Sequence, residues 1–162
     1  MTEKKSRLVV LVCGNPSRGD DALGPELARW FETHYANRHD IELIDDFQLQ
    51  IEHALDLEDR DLALFIDASV SCSPPLSFTR LYPAQDATYS SHALHPSAVL
   101  QVYQNIKKQP PPPSFLLAIR GEQFGLGEPL SPPATHYLLT AIKYVEKLCD
   151  RIDVITWDSY LI

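Results

Sequence analysis

At 162 residues the chain is long enough for one domain with a sizeable core and too short for two of ordinary size. Its hydrophobic fraction of 44% is that of a soluble globular protein, and no apolar stretch approaches the ~20 residues that cross a bilayer. A formal charge of -8 argues against nucleic acid or an anionic membrane as partner and leaves a basic protein surface or a cation.

The start, residues 1–7, is positively charged, but the apolar run behind it is short and stops at Gly14-Asn15. That suits a core first strand better than a secretion signal. Leu8 to Cys13 is continuously apolar, as expected of a strand covered on both faces. Between Leu23 and Tyr35, Leu23, Leu27, Trp30 and Phe31 recur at helical spacing, with Pro25 early enough to sit in the first turn. Residues 42–44 read as a short second strand, and Leu49, Ile51, Leu55 and Leu57 as the apolar positions of a second helix. Asp61 to Asp67 is the clearest central strand, five apolar residues bracketed by aspartates, with Asp67 at the carboxyl end.

Ser71 to Pro75 breaks the chain, and Leu76 to Leu81 alternates loosely like an edge strand. A polar loop over 83–91 leads to residues 92–103, a loop entering a helix. The four prolines 110–113 form a rigid turn before the buried strand 114–119. A glycine- and proline-rich loop, 120–133, precedes an amphipathic helix over 134–148. The apolar tail 151–162 either packs back on the domain, adds a strand or meets another molecule.

Alternating strands and helices predict an α/β fold, a twisted, mainly parallel sheet with helices on both faces, forming a single domain over 1–162. Such sheets place their sites beyond the carboxyl ends of the strands. That selects the loops Gly14–Asp21, Asp67–Ser73 and Arg120–Leu130, with the loop carrying His92 able to reach the same rim.

Gly14, Gly19 and Gly24 look at first like a phosphate loop, but they are spaced by five and lack the dinucleotide fingerprint. The Walker lysine is missing too, and Asp20 and Asp21 stand where an anion would sit. Asp45 and Asp46 follow the second strand, as a ribose-binding acid does. Ser17 lacks the first glycine of a nucleophile elbow, having Asn15 in its place. A thiol protease from Cys72 with His92 or His95 has nothing to fix its geometry. Cys13 at the end of a buried strand reads as a core residue. The three cysteines form no CxxC or zinc spacing, which fits a reducing cytoplasm. The remaining constellation is a divalent-metal site from Asp21 or Asp20, Asp67 and His92, an oxygen–oxygen–imidazole set suited to nickel, iron, cobalt or zinc. Each residue also has a plainer reading: Asp20 and Asp67 as local caps, His92 and His95 as surface groups near a helix start.

The pieces Gly14-Asn15, Asp20-Asp21-Ala-Leu-Gly24, Phe65-Ile-Asp67-Ala68, Ser91-His92-x-Leu94 with Leu100 beyond, and Gly127-Glu-Pro-Leu-Ser-Pro132 come in one order across residues 8–149. In that order they resemble the hydrogenase maturation endopeptidases, which trim the C-terminal extension of the nickel-containing large subunit of [NiFe] hydrogenases. The resemblance implies a three-layer sandwich with a five-stranded sheet. It also implies Asp21, Asp67 and His92 as the metal-contacting and catalytic residues, with Asp20 shaping the loop and Gly14-Asn15 making the exit from the first strand. Nickel is then read in the substrate rather than permanently held. The partner is the large-subunit precursor, and the protein acts as a cytoplasmic monomer without nucleic acid or membrane.

The chain departs from many relatives in having Val12-Cys-Gly-Asn15 for Gly-x-Gly-Asn, and Asp21 where glutamate is common, a reach shorter by roughly 1.5 Å. Arg18-Gly-Asp-Asp21 is similar to relatives that process cytoplasmic, cofactor-reducing hydrogenases. The resemblance leaves two further readings open: a maturation chaperone or docking module that recognises the nickel centre without cleaving, and a small-molecule domain using Asp45 or Asp46. Arg120 and Glu122 are expected either at the substrate or in a local ion pair. Tyr89, Tyr82 and Phe78 are expected as an apolar lip or as cover for the sheet edge.

Overall fold

Leu8–Cys13 forms β1 with every residue buried, as the unbroken apolar run requires. The computed structural model describes residues 5–84 and 94–162. Leu23–His34 is α1, entered with Pro25 in its first turn, followed by β2 (Ile41–Asp46) and a 3-10 segment over Ile51–Leu57. β3 (Leu62–Ser69) and β4 (Leu76–Leu81) precede α2 (Pro96–Lys107), β5 (Ser114–Arg120), α3 (Pro132–Asp150) and a short α4 (Val154–Asp158). The helix starts carry their expected chemistry. The Ser131 hydroxyl accepts from the Ala134 N–H, and His95 Nδ1 from the Ser97 N–H, each just ahead of a proline in the first turn.

The sheet order is β2-β1-β3-β5-β4, with every pair parallel except the β4 edge, which runs antiparallel to β5. α1, α3 and α4 cover one face, where Val10, Leu27, Leu64, Leu117, Val145 and Trp157 share a core. The 3-10 segment and α2 cover the other, over Val9, Leu11, Phe65, Leu57 and Val99. The result is the α/β three-layer sandwich expected.

The structure departs from the sequence reading at the second helix and decides between its alternatives for Phe78 and the tail. The second helix is a 3-10 segment that begins after Leu49, with only His53, Ala54 and Leu57 turned inward. Leu55 and Ile51 stay about half exposed, so their apolar spacing does not define a buried face. Phe78 is a core residue rather than part of a lip: it stacks on Phe115 at 5.2 Å and meets Trp157 edge-on. The apolar tail packs back, with Trp157 fully buried and its indole N–H donating to the Leu148 and Arg151 carbonyls. Ile162 then exchanges backbone hydrogen bonds with Phe78 on β4. Tyr82 is exposed, and Tyr89 lies outside the described residues.

Candidate active site

The order β2-β1-β3 means that the chain leaves β1 for one side of the sheet and later returns to its other side at β3. The loops beyond β1 and β3 therefore diverge and open a crevice at the carboxyl ends of those strands. The first loop is shaped at Gly14, whose φ of 150° and close approach admit no side chain. A Cβ there would run into the Asp21 backbone oxygen and lie 2.8 Å from Pro25. Gly19, at φ 52°, would drive a Cβ to within 2.5 Å of the Gln123 carbonyl oxygen.

The two adjacent aspartates of this loop have opposite fates. Asp20 is completely buried, and its carboxylate accepts from the Glu122, Gln123 and Ser131 N–H groups at 2.7, 3.0 and 2.7 Å and from the Ser131 hydroxyl at 2.6 Å. Burial alone would raise its pKa, but the Ser131 hydroxyl and the three N–H donors outweigh that and hold it below the ordinary value. Asp20 thereby ties the first loop to the last one. Backbone bonds from Asp20 N to Gln123 O, Gly19 N to Glu128 O and Gly127 N to Ser17 O complete the join. Asp21 points the other way. Its Oδ2 accepts from the Asn15 N–H at 2.7 Å, and the side chain faces an open cavity.

That cavity, about 570 Å³, is lined by Asp21 and Asp67 together with Cys13, Asn15, Arg18, Phe47, Gln48, Leu49 and Leu94. Asp67 directly follows the buried part of β3, and its Oδ1 accepts from the Ala68 N–H at 2.8 Å. Burial first, and the Asp21 charge second, push the Asp67 carboxyl up to about 7 against the opposing Ala68 N–H. Two carboxylates thus share one concave site, each accepting, among the described residues, from one N–H on one oxygen and keeping lone pairs for a cation. Oxygen donors of this kind suit a divalent ion.

His92 lies outside the described residues. Leu94, two residues on, is at the cavity wall, and His95 caps α2. Among the described residues no group of three His, Cys, Asp or Glu side chains converges on a metal position. The thiol readings fare differently. Cys13 is buried and its pKa is raised, by burial and by Asp67, Asp46, Asp45 and Asp21 in turn, so it is held as a thiol. Cys72 sits on the loop after β3 with its Sγ directed at the Ala118 carbonyl. Arg120 and Glu122 form the local ion pair, at 3.4 Å, and Arg120 also donates to the Cys72 carbonyl. Asp46 lies 3.4 Å from His53 Nε2 and accepts from the Phe47 N–H, while Asp45 lines a separate concavity with Pro25 and Arg29.

The sequence reading did not identify Ser131 as the anchor for Asp20, nor Phe47 and Gln48 as cavity walls. Ser131 carried a signal, standing immediately before two prolines as a helix cap. Phe47 and Gln48 carried none, because a residue just past a strand end reveals its role only when the sheet order is known.

No family model and no curated protein matches the chain. Solved structures do. Hydrogenase maturating endopeptidase HybD from E. coli superimposes with a TM-score of 0.69 at 22% identity, over 89% of this chain and 93% of that one. A [NiFe] hydrogenase maturation protease, HycI from Thermococcus kodakarensis KOD1, gives 0.68 at 20%, over 91% and 94%. A hydrogenase 2 maturation peptidase from Thaumarchaeota archaeon SCGC_AB-539-E09 gives 0.63 at 21%, over 90% and 99%. The chain has the fold of the hydrogenase maturation endopeptidases. The shared fold extends over about nine-tenths of this chain and more than nine-tenths of each of the three solved ones.

Proposed function

We propose that the protein is an endopeptidase that removes the C-terminal extension from the nickel-loaded large subunit of a [NiFe] hydrogenase, of the cytoplasmic, cofactor-reducing kind. The observation that carries this reading is the pairing of Asp21 and Asp67 on one cavity at the switch point of a maturation-endopeptidase fold. The carboxylates, mutually repelling when empty-handed, form a seat for a cation presented by the substrate, with His92 as the third contact.

In this reading the nickel belongs to the precursor. Asp21, held by the Asn15 N–H, and Asp67, held by the Ala68 N–H, dock the nickel and bring the scissile bond beside it. Hydrolysis then adds hydroxide to the carbonyl carbon and a proton to the leaving nitrogen. A carboxylate of the pair orients the attacking water, and the metal polarises the carbonyl. No serine or cysteine nucleophile is called on, in keeping with the buried Cys13 thiol. Phe47 and Leu94 flank the carboxylates with apolar surface for the peptide around the cut.

The test is intact-mass measurement of nickel-loaded and nickel-free large-subunit precursor after incubation with the protein. Loss of the C-terminal extension from the loaded form alone is the expected result. Binding of the loaded form without any mass loss would make the protein a docking module instead.

A further inference from the structure

β2 is an edge of the sheet, with β1 as its single paired neighbour among the described residues. The Leu8 N–H donates to the Asp40 carbonyl and the Gly14 N–H to the Asp46 carbonyl, so the even-numbered positions face β1. In a parallel strand the N–H and C=O of one residue point to the same side. Ile41, Leu43 and Asp45 therefore direct their backbone groups outward, to the free edge. Their side chains lie on the α1 face, where two concavities follow one another along the strand. Ile41 and Leu43 line one of about 300 Å³ with Phe31, Glu32, Tyr35, Ala36 and Arg38. Asp45 lines the next, about 270 Å³, with Pro16, Pro25, Arg29 and Phe47. Phe47 is two-thirds exposed and also forms a wall of the active-site cavity, so this groove runs into the site.

An edge with outward hydrogen-bonding groups and pockets for alternate side chains is the pattern by which sheets capture extended peptides. We propose that the residues following the scissile bond add to the free edge of β2 as an antiparallel strand. The direction follows from the site: β2 runs toward the cavity, so a segment leaving the cavity along it runs the opposite way. Its chemistry follows from the pockets. The Phe31, Tyr35, Ile41 and Leu43 pocket takes an apolar side chain. The pocket nearer the site carries the Asp45 carboxylate with Glu32 alongside, and the Arg29 guanidinium beside it is bonded to Glu26, so it favours a basic one. The bound segment thus presents a basic and an apolar residue at alternating positions, two apart. This rests on the endopeptidase reading for its occupant, but not for its edge.

The test pairs amide hydrogen exchange with kinetics, using a synthetic peptide of the precursor's C-terminal extension and the nickel-loaded precursor. The expected result is new protection at the Ile41, Leu43 and Asp45 amides on adding peptide, with the already paired Glu42 and Ile44 amides unchanged. Asp45→Pro, which removes an outward N–H and no bond to β1, should raise KM about tenfold or more and leave kcat within a few-fold. Leu43→Lys, whose long stem still covers the α1 face, should act alike through the apolar pocket. No protection at the odd-numbered amides, or an unchanged KM in both variants when their melting shows them folded, overturns the edge proposal whether or not wild type cleaves. Protection without cleavage by wild type upholds the edge and overturns the endopeptidase reading.

Discussion

Two neighbouring aspartates of the first loop do different work because their surroundings differ. Asp20 gathers four donors in the interior, whereas Asp21 has one among the described residues and lines the cavity. Replacing Asp20 with alanine strands buried N–H groups of the last loop and should cost about 3 kcal/mol or more, read by denaturant unfolding. Because its folded pKa is depressed, its contribution is present above the unfolded value near 3.8 and fades as pH falls through the folded one. Asp20→Asn should therefore lose less stability than wild type as pH falls below 4. Asp67 has the opposite sign. Its carboxyl is raised from 3.8 to about 7, so the folded protein holds a proton that the unfolded chain has released, and stability falls as pH rises between those values. Asp67→Asn should be more stable than wild type above pH 7, by at most about 4 kcal/mol, as thermal melts at pH 5 and pH 8 will show. An equal gain at both pH values would contradict this account.

At the scale of elements, the strands were legible because buried parallel strands are written as unbroken apolar runs: β1 matches its expected bounds, and β3 starts and ends within two residues of its own. The 3-10 segment was not, since Ile51 and Leu55 complete an apparent helical stripe with the buried Leu49 and Leu57 but stay about half exposed. α4 and the pairing of Ile162 with Phe78 were likewise undetermined, because the residues of the tail have no period and are placed by a distant pocket. That pocket is now testable. Trp157 is fully buried edge-on against the stacked Phe78 and Phe115 rings, so Trp157→Ala should cost about 3–5 kcal/mol by chemical denaturation. A loss under about 1 kcal/mol would mean the tail is not anchored there. Gly14→Ala should also destabilise, as the added methyl has the Asp21 backbone in its way, and it should displace the Asp21 side chain with it.

For the molecule as a whole, alternating strands and helices gave the architecture, and the rule for parallel sheets gave the rim. The sheet order decides which rim loops meet, and no local pattern encodes it. Asp21 and Asp67 are candidates from the rim rule and the resemblance, which also casts Asp20 as shaping the loop; the partners that hold Asp20 become visible only in the contacts of the last loop. The same order leaves β2 at an edge of the sheet beside the cavity, the edge on which the proposed strand addition depends. The account stands or falls on the carboxylate pair as a single functional unit. The direct measurement is the rate of C-terminal processing of nickel-loaded precursor by wild type, Asp21→Asn and Asp67→Asn, with melting curves to show that each variant is folded. The account predicts losses on the order of 10²-fold or more in both variants, alongside equal or greater thermal stability for Asp67→Asn. Processing by either folded variant at the wild-type rate would contradict it.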